Sequence, residues 1–88
     1  MDKEKIKYIL TKKGLTLADL DRRNNLKYGT CRYALHMPNA KGEVAIAKEL
    51  GISLNRLFPT RYDASGKRYS PQPSDNYNYK RRGVASNA

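Results

Sequence analysis

The chain has no tryptophan, one phenylalanine, one cysteine and one histidine among 88 residues, and few acidic groups beside many basic ones. A lone Cys31 closes no intramolecular disulfide, and Cys31 with His36 falls short of the three or four protein ligands of a zinc site. On one helix the two are about 140° apart around the axis, so they diverge and make a poor nucleophile–base pair. Cys31 reads as a small buried apolar residue, a redox role being the alternative. No H-E-x-x-H, P-loop, G-x-S-x-G or paired carboxylates can be found. Neither an enzyme nor a bound metal or cofactor is expected. There is also no apolar run of about 18 residues and no signal-peptide core; a cytoplasmic protein with no membrane partner is the expectation.

What the chain has in excess is positive charge. Lysine and arginine number 18 against 8 aspartates and glutamates, a formal net charge of +10. Solubility alone asks for roughly 2 to 8 charges on a small domain, so the surplus points to a polyanion. Membrane-surface binding would need one helix with a strong apolar stripe opposite a basic face, whereas the apolar residues here are spread over several short segments. The length allows one small domain without room for a deep catalytic cleft.

Those segments read as five short helices, an all-α fold. Ile6, Ile9 and Leu10 share one face of a first helix over 1–13, with acidic Asp2 and Glu4 at its start, Lys12 and Lys13 at its end and Gly14 as its stop. Thr16 and Asp19 have the spacing of a capping box for the second helix, which Asn24-Asn25 end, asparagine tolerating the left-handed backbone of a sharp turn. A third helix over about 27–36 places Cys31, Ala34 and Leu35 inward, and Pro38 enforces its stop. The fourth, from Ala40 to Leu50, offers Val44, Ala45, Ile46, Ala47 and Leu50 as a broad apolar face and ends at Gly51. Ser53 caps a last turn in which Leu54, Leu57 and Phe58 close the core before Pro59.

Two helices joined by a tight turn, the second basic, make a helix-turn-helix that inserts its second helix into the DNA major groove. That helix carries Lys27, Tyr28, Thr30, Arg32, Tyr33 and His36 and no acid. Arg32, central and outward, suits a bidentate contact to guanine or a phosphate contact. Tyr28 and Thr30 stand where a base edge, a thymine methyl or a phosphate is reached, capping or core packing being the plain alternative. Lys27 and Lys41 read as phosphate clamps. His36 is either a partner for the helix C-terminus or a reader. Arg22 and Arg23 can cross the DNA backbone, although Asp19 and Asp21 beside them allow a solvated pairing instead. Arg61, Tyr62 and Phe58 read as ties between the end of the domain and its core.

Composition changes at residue 63. Residues 63–88 hold no Ile, Leu, Met or Phe and one Val, too little apolar area to offset ordering. The expected division is a DNA-binding domain over 1–62 and a flexible basic tail over 63–88. In that tail Lys67, Arg68, Lys80, Arg81 and Arg82 interleave with Tyr69, Tyr77 and Tyr79. It is either a solvated terminus or an arm adding phosphate contacts.

Leu15-Thr16-Leu17, Tyr33-Ala34-Leu35, Pro38, Lys41-Gly42-Glu43 and the run Leu57-Phe58-Pro59-Thr60-Arg61-Tyr62 together resemble the Ner-like (Nlp) DNA-binding proteins of Mu-type bacteriophages and their bacterial relatives. The resemblance spans about residues 6–62. It implies a compact five-helix domain of the λ-repressor-like kind and a role in transcriptional control, often repression. The expected function is thus sequence-specific recognition of double-stranded DNA at the nucleoid, with a homodimer on DNA left open. The alternative is a helical module for protein interaction or nonspecific nucleic-acid binding.

Overall fold

A computed structural model describes residues 1–77. Helix α1 (Lys3–Lys12) buries Ile6 and Leu10, one turn apart, and has Glu4 in its first turn and Lys12 in its last. It starts later than expected and ends in a paired-carbonyl stop: Gly14, at φ +75, lets Gly14 N–H reach Thr11 O and Leu15 N–H reach Leu10 O, both at 2.9 Å. Helix α2 (Leu17–Arg23) follows. Its capping box is reciprocal, Asp19 N–H donating to Thr16 Oγ1 at 3.1 Å and Thr16 N–H to Asp19 Oδ2 at 2.8 Å. Asn25 takes the left-handed backbone, at φ +56.

The third helix is shorter than the sequence suggests. Helix α3 spans Thr30–His36, and Lys27, Tyr28 and Gly29 form the turn ahead of it. Gly29 at φ +93 is the cause, since that conformation cannot continue a right-handed helix. The open end of α3 is closed from α2. Asp21 Oδ2 accepts from Gly29 N–H at 2.8 Å and Oδ1 from Cys31 N–H at 2.9 Å. Asp21 is therefore buried, not the solvated partner of Arg22 or Arg23: two amides without intrahelical acceptors, at the positive end of a helix, hold its charge inside.

Helix α4 (Ala40–Leu50) matches its expected span and ends on Gly51 at φ +66. Asn39 Oδ1 caps it by accepting from Gly42 N–H at 2.9 Å. Val44, expected inside, is 48% exposed, and the buried stripe is Gly42, Glu43, Ala45 and Ile46. The reason is the close approach of α3. A Cβ on Gly42 would lie 2.7 Å from Ala34 Cβ and 2.9 Å from Thr30 O, so α4 turns its 42/45/46 face to α3 and Val44 away. Gly42→Ala is expected to cost roughly 1–3 kcal/mol through overpacking, outweighing the ~1 kcal/mol gained in helix propensity. A lower denaturant midpoint at unchanged slope would register it.

Helix α5 (Leu54–Leu57) begins after Ser53, whose side chain makes no capping bond, contrary to expectation. The core joins Ile6, Leu10, Leu20, Cys31, Ala34, Leu35, Ala45, Ile46, Leu57, Phe58 and Tyr62, with Leu50 and Leu54 packed against it.

Phe58, Arg61 and Tyr62 do tie the chain back, and the anchor is Glu43. This fully buried carboxylate accepts from Arg61 Nη1 at 2.9 Å, Tyr62 Oη at 2.8 Å, Arg68 Nε at 3.1 Å and Asn39 N–H at 2.8 Å. Arg61 also donates to Ala34 O at 2.5 Å and stacks over the Phe58 ring. Contacts do not stop at residue 62. Asp63 Oδ1 gathers Ser65 and Lys67 N–H groups, Tyr69 N–H and Gln72 Nε2 both reach Arg61 O at 3.0 Å, and Asn76 Nδ2 reaches Thr60 O at 2.9 Å. A 3₁₀ turn (Ser74–Tyr77) follows. Tyr79, Lys80, Arg81 and Arg82 lie outside the described residues. Among the described residues, β pairing is limited to one antiparallel bridge between Tyr62 and Arg68.

Candidate nucleic-acid interface

The capped turn and α3 build one exposed basic edge. Tyr28 projects from the turn with 82% of its surface exposed, and Arg32 and Tyr33 are exposed on α3 itself. Thr30, the first residue of α3, is half-buried and donates its hydroxyl to Lys27 O at 2.6 Å, which ties the turn to the helix start. Lys27 is exposed in the turn.

Tyr28, Arg32 and His36 follow one another at a spacing of four and line a cleft of about 440 Å³ together with Lys7 of α1, the cap residue Thr16, and Leu17, Ala18 and Asp21 of α2. His36 is half-buried there, its Nδ1 accepting from Lys3 Nζ at 3.2 Å. Burial pushes the His36 imidazole below its ordinary range, and the charges of Lys3, Lys7, Arg32 and Arg61 push it the same way.

Three expected residues lie apart from this edge. Lys41 is exposed on the first turn of α4, beside a shallow groove that Asn24, Asn25 and Val44 also line. Arg22 is exposed and pairs with Asp19. Arg23 is paired across to Glu49 of α4 at 3.4 Å. Both pairs are solvent-facing and hold their arginines only weakly.

Cys31 is fully buried, and its thiol is pushed up to about 12, first by burial and then by the Asp21 carboxylate. A protonated, enclosed thiol is a packing residue, not a nucleophile. Among the described residues no group of three or more His, Cys, Asp or Glu could hold a metal ion, and no helix is long and apolar enough to cross a membrane.

Sequence reasoning missed three residues. Lys3 and Lys7 stand four apart on α1, Lys7 lining the cleft and Lys3 bonded to His36, a pairing across thirty-three residues that no local spacing announces. Asp21 as the cap of α3 had no local signal, because its acceptor role spans eight and ten residues.

A short helix held across a second by a buried cap, with aromatic and cationic side chains along its outer edge, defines a helix-turn-helix DNA-binding domain. A family model described as winged helix-turn-helix DNA-binding matches residues 1–73, and the chain belongs to that family. The match includes much of the segment that folds back onto Glu43. Over 53 residues the chain is 45% identical to sugar fermentation stimulation protein B of Escherichia coli K12, which covers 60% of this chain and 58% of that protein. It is 38% identical, also over 53 residues, to a negative regulator of transcription of Escherichia phage D108, covering 60% of this chain and 73% of that protein. These relatives agree with the Ner-like resemblance. The chain thus spans under two thirds of the length of the E. coli relative. No solved structure matches it.

Proposed function

We propose that this protein is a sequence-specific regulator of transcription, without enzymatic activity, that binds double-stranded DNA through α3 and the turn before it. The carrying observation is the α3 edge: Arg32 exposed mid-helix, with Tyr33 beside it and Tyr28 on the turn before, on a helix whose start is bonded to buried Asp21. Repression is the proposed sense of control, supported by the printed name of the phage relative. The setting is the nucleoid, and a homodimer would give each copy one half-site.

Roles divide by position. Arg32 and Tyr28 read bases. Lys27 and Lys41 hold phosphates, Lys41 from α4 and so away from the base edges. Arg22 and Arg23 are secondary phosphate contacts that must first leave Asp19 and Glu49. The folded unit is proposed to extend past residue 62, through the segment in which Gln72 and Asn76 reach back to Arg61 and Thr60.

Arg32→Ala should remove about 1–3 kcal/mol of discrimination at one or two base pairs with the fold unchanged. Lys41→Ala should weaken all sequences alike and reduce the salt slope by roughly one phosphate. Titrations of folded variants against a selected duplex test the division. Binding untouched by both substitutions would remove α3 from the reading role and favour a protein-interaction module.

A further inference from the structure

The outward side chains of the α3 edge differ in what they offer DNA. Arg32 brings planar donors and Lys27 a point charge. Thr30 is half-buried, with its hydroxyl donated to Lys27 O at 2.6 Å. The outward apolar surface belongs to the tyrosines, Tyr28 being 82% exposed and Tyr33 49%. Tyr28 is the further out, yet the backbone around it is well bonded. Leu26 N–H donates to Asp21 O at 2.8 Å, Gly29 N–H to Asp21 Oδ2 at 2.8 Å and Thr30 N–H to Lys27 O at 3.0 Å. The Tyr28 hydroxyl makes no hydrogen bond to another described residue, and the ring lies outside the core. A large aromatic is thus held out from a bonded turn, on the cleft edge that Arg32 shares.

Resting on the DNA-binding reading above, we propose that Tyr28 is a specificity-determining residue whose ring packs on the C5 methyl of a thymine in the major groove, close to the base pair that Arg32 reads. The thymine methyl is the apolar group that base edges present in that groove, while the arginine fork suits O6 and N7 of guanine. The two readers are four residues apart, which at the helical rise covers about 6 Å. That is roughly two base-pair steps of about 3.4 Å each. Charge favours the methyl over a phosphate as the partner of the ring. Lys7 and Arg32 line the cleft, but so does the Asp21 carboxylate, which is bonded to the amide directly after Tyr28. A phosphate against the ring would meet that acid, and a methyl does not. The contact asks nothing of the Tyr28 hydroxyl, which keeps its water, and a ring with two rotatable bonds loses little entropy on docking. The site this edge fits is a duplex with a guanine and a thymine within about two base pairs of each other.

The test is binding of the full chain, followed by fluorescence anisotropy, to the duplex recovered by selection from a random pool and to copies in which each thymine in turn is replaced by deoxyuridine. That replacement removes the C5 methyl and keeps every hydrogen-bonding group of the base. In the wild type, one such copy should bind about three- to fivefold more weakly, the worth of burying one methyl. The affected thymine should lie within about two base pairs of the guanine whose preference is lost in Arg32→Ala. Tyr28→Ala should bind the intact duplex more weakly and not distinguish thymine from deoxyuridine there. Tyr28→Phe should keep the distinction. Thermal midpoints close to that of the wild type are expected for both variants, because the side chain is outside the core. A wild type indifferent to every deoxyuridine copy, or a distinction that persists in Tyr28→Ala, overturns the assignment and leaves sequence reading by α3 standing. A Tyr28→Phe protein that has lost the distinction and binds all duplexes more weakly would give the hydroxyl a phosphate contact and overturn it as well. A pool that enriches no motif overturns both this inference and the reading beneath it.

Discussion

Glu43→Ala is expected to destabilise the protein by about 3–5 kcal/mol, the usual cost of removing one partner from a buried ionic cluster. Arg61 and Tyr62 are buried beside it and Arg68 is half-buried, so the substitution strands two cations and a hydroxyl that were bonded to one carboxylate. Asn39 N–H loses its acceptor too, which weakens the start of α4. The same carboxylate gives a pH signature. Burial pushes Glu43 up, but the bonds from Arg68, the Asn39 amide and Tyr62, with the charge of Arg61, outweigh it and hold the group below its ordinary value. A group lowered in the folded state stabilises fully above its unfolded pKa, near 4.3, and loses that contribution as pH falls through its folded value. Urea midpoints should therefore drop below about pH 4 in the wild type and show less of that acid dependence in Glu43→Gln. A Glu43→Ala protein within ~0.5 kcal/mol of wild type would show that the cluster is not what fastens residues 58–68 to the helices.

Asp21→Ala is expected to cost roughly 2–5 kcal/mol, from two buried or half-buried amides left without acceptors at about 1–3 kcal/mol each. Its effect on DNA binding should exceed its effect on folding at temperatures where the variant is still folded. Asp21 fixes where α3 begins, and with Gly29 N–H and Cys31 N–H released the start of α3 frays. Tyr28 and Arg32 would then no longer be presented at a fixed separation. Thermal unfolding and duplex titration on the same samples separate the two consequences. Unchanged affinity in a folded Asp21→Ala would mean that the start of α3 takes no part in recognition.

The elements that local rules govern were legible in the sequence. The Thr16–Asp19 box, the Gly14 and Gly51 stops and the Asn25 turn each act within a few residues, and each stands where its spacing indicates. What depended on the approach of distant segments was not. Gly42 reads as a helix N-terminal residue until Ala34 and Thr30 are seen against it, and that contact decides which face of α4 is buried and leaves Val44 outside. Arg68 has the composition of a free tail around it, yet a carboxylate twenty-five residues earlier holds it. At the candidate interface the exposure of Arg32 and Tyr33 follows from helix periodicity, whereas Tyr28 stands on the turn ahead of α3 that Gly29 makes. The pairing of His36 with Lys3 joins residues thirty-three apart, and no spacing rule announces it.

The central claim, that the exposed edge of α3 reads a specific duplex, is tested most directly by selecting bound fragments from a random duplex pool and then titrating the recovered site against unrelated competitor DNA. The account predicts one enriched motif, preferred over bulk DNA by at least about 10³, with one or two positions losing their preference in Arg32→Ala. A pool that enriches no motif, bound with equal affinity by wild type and Arg32→Ala, would contradict it.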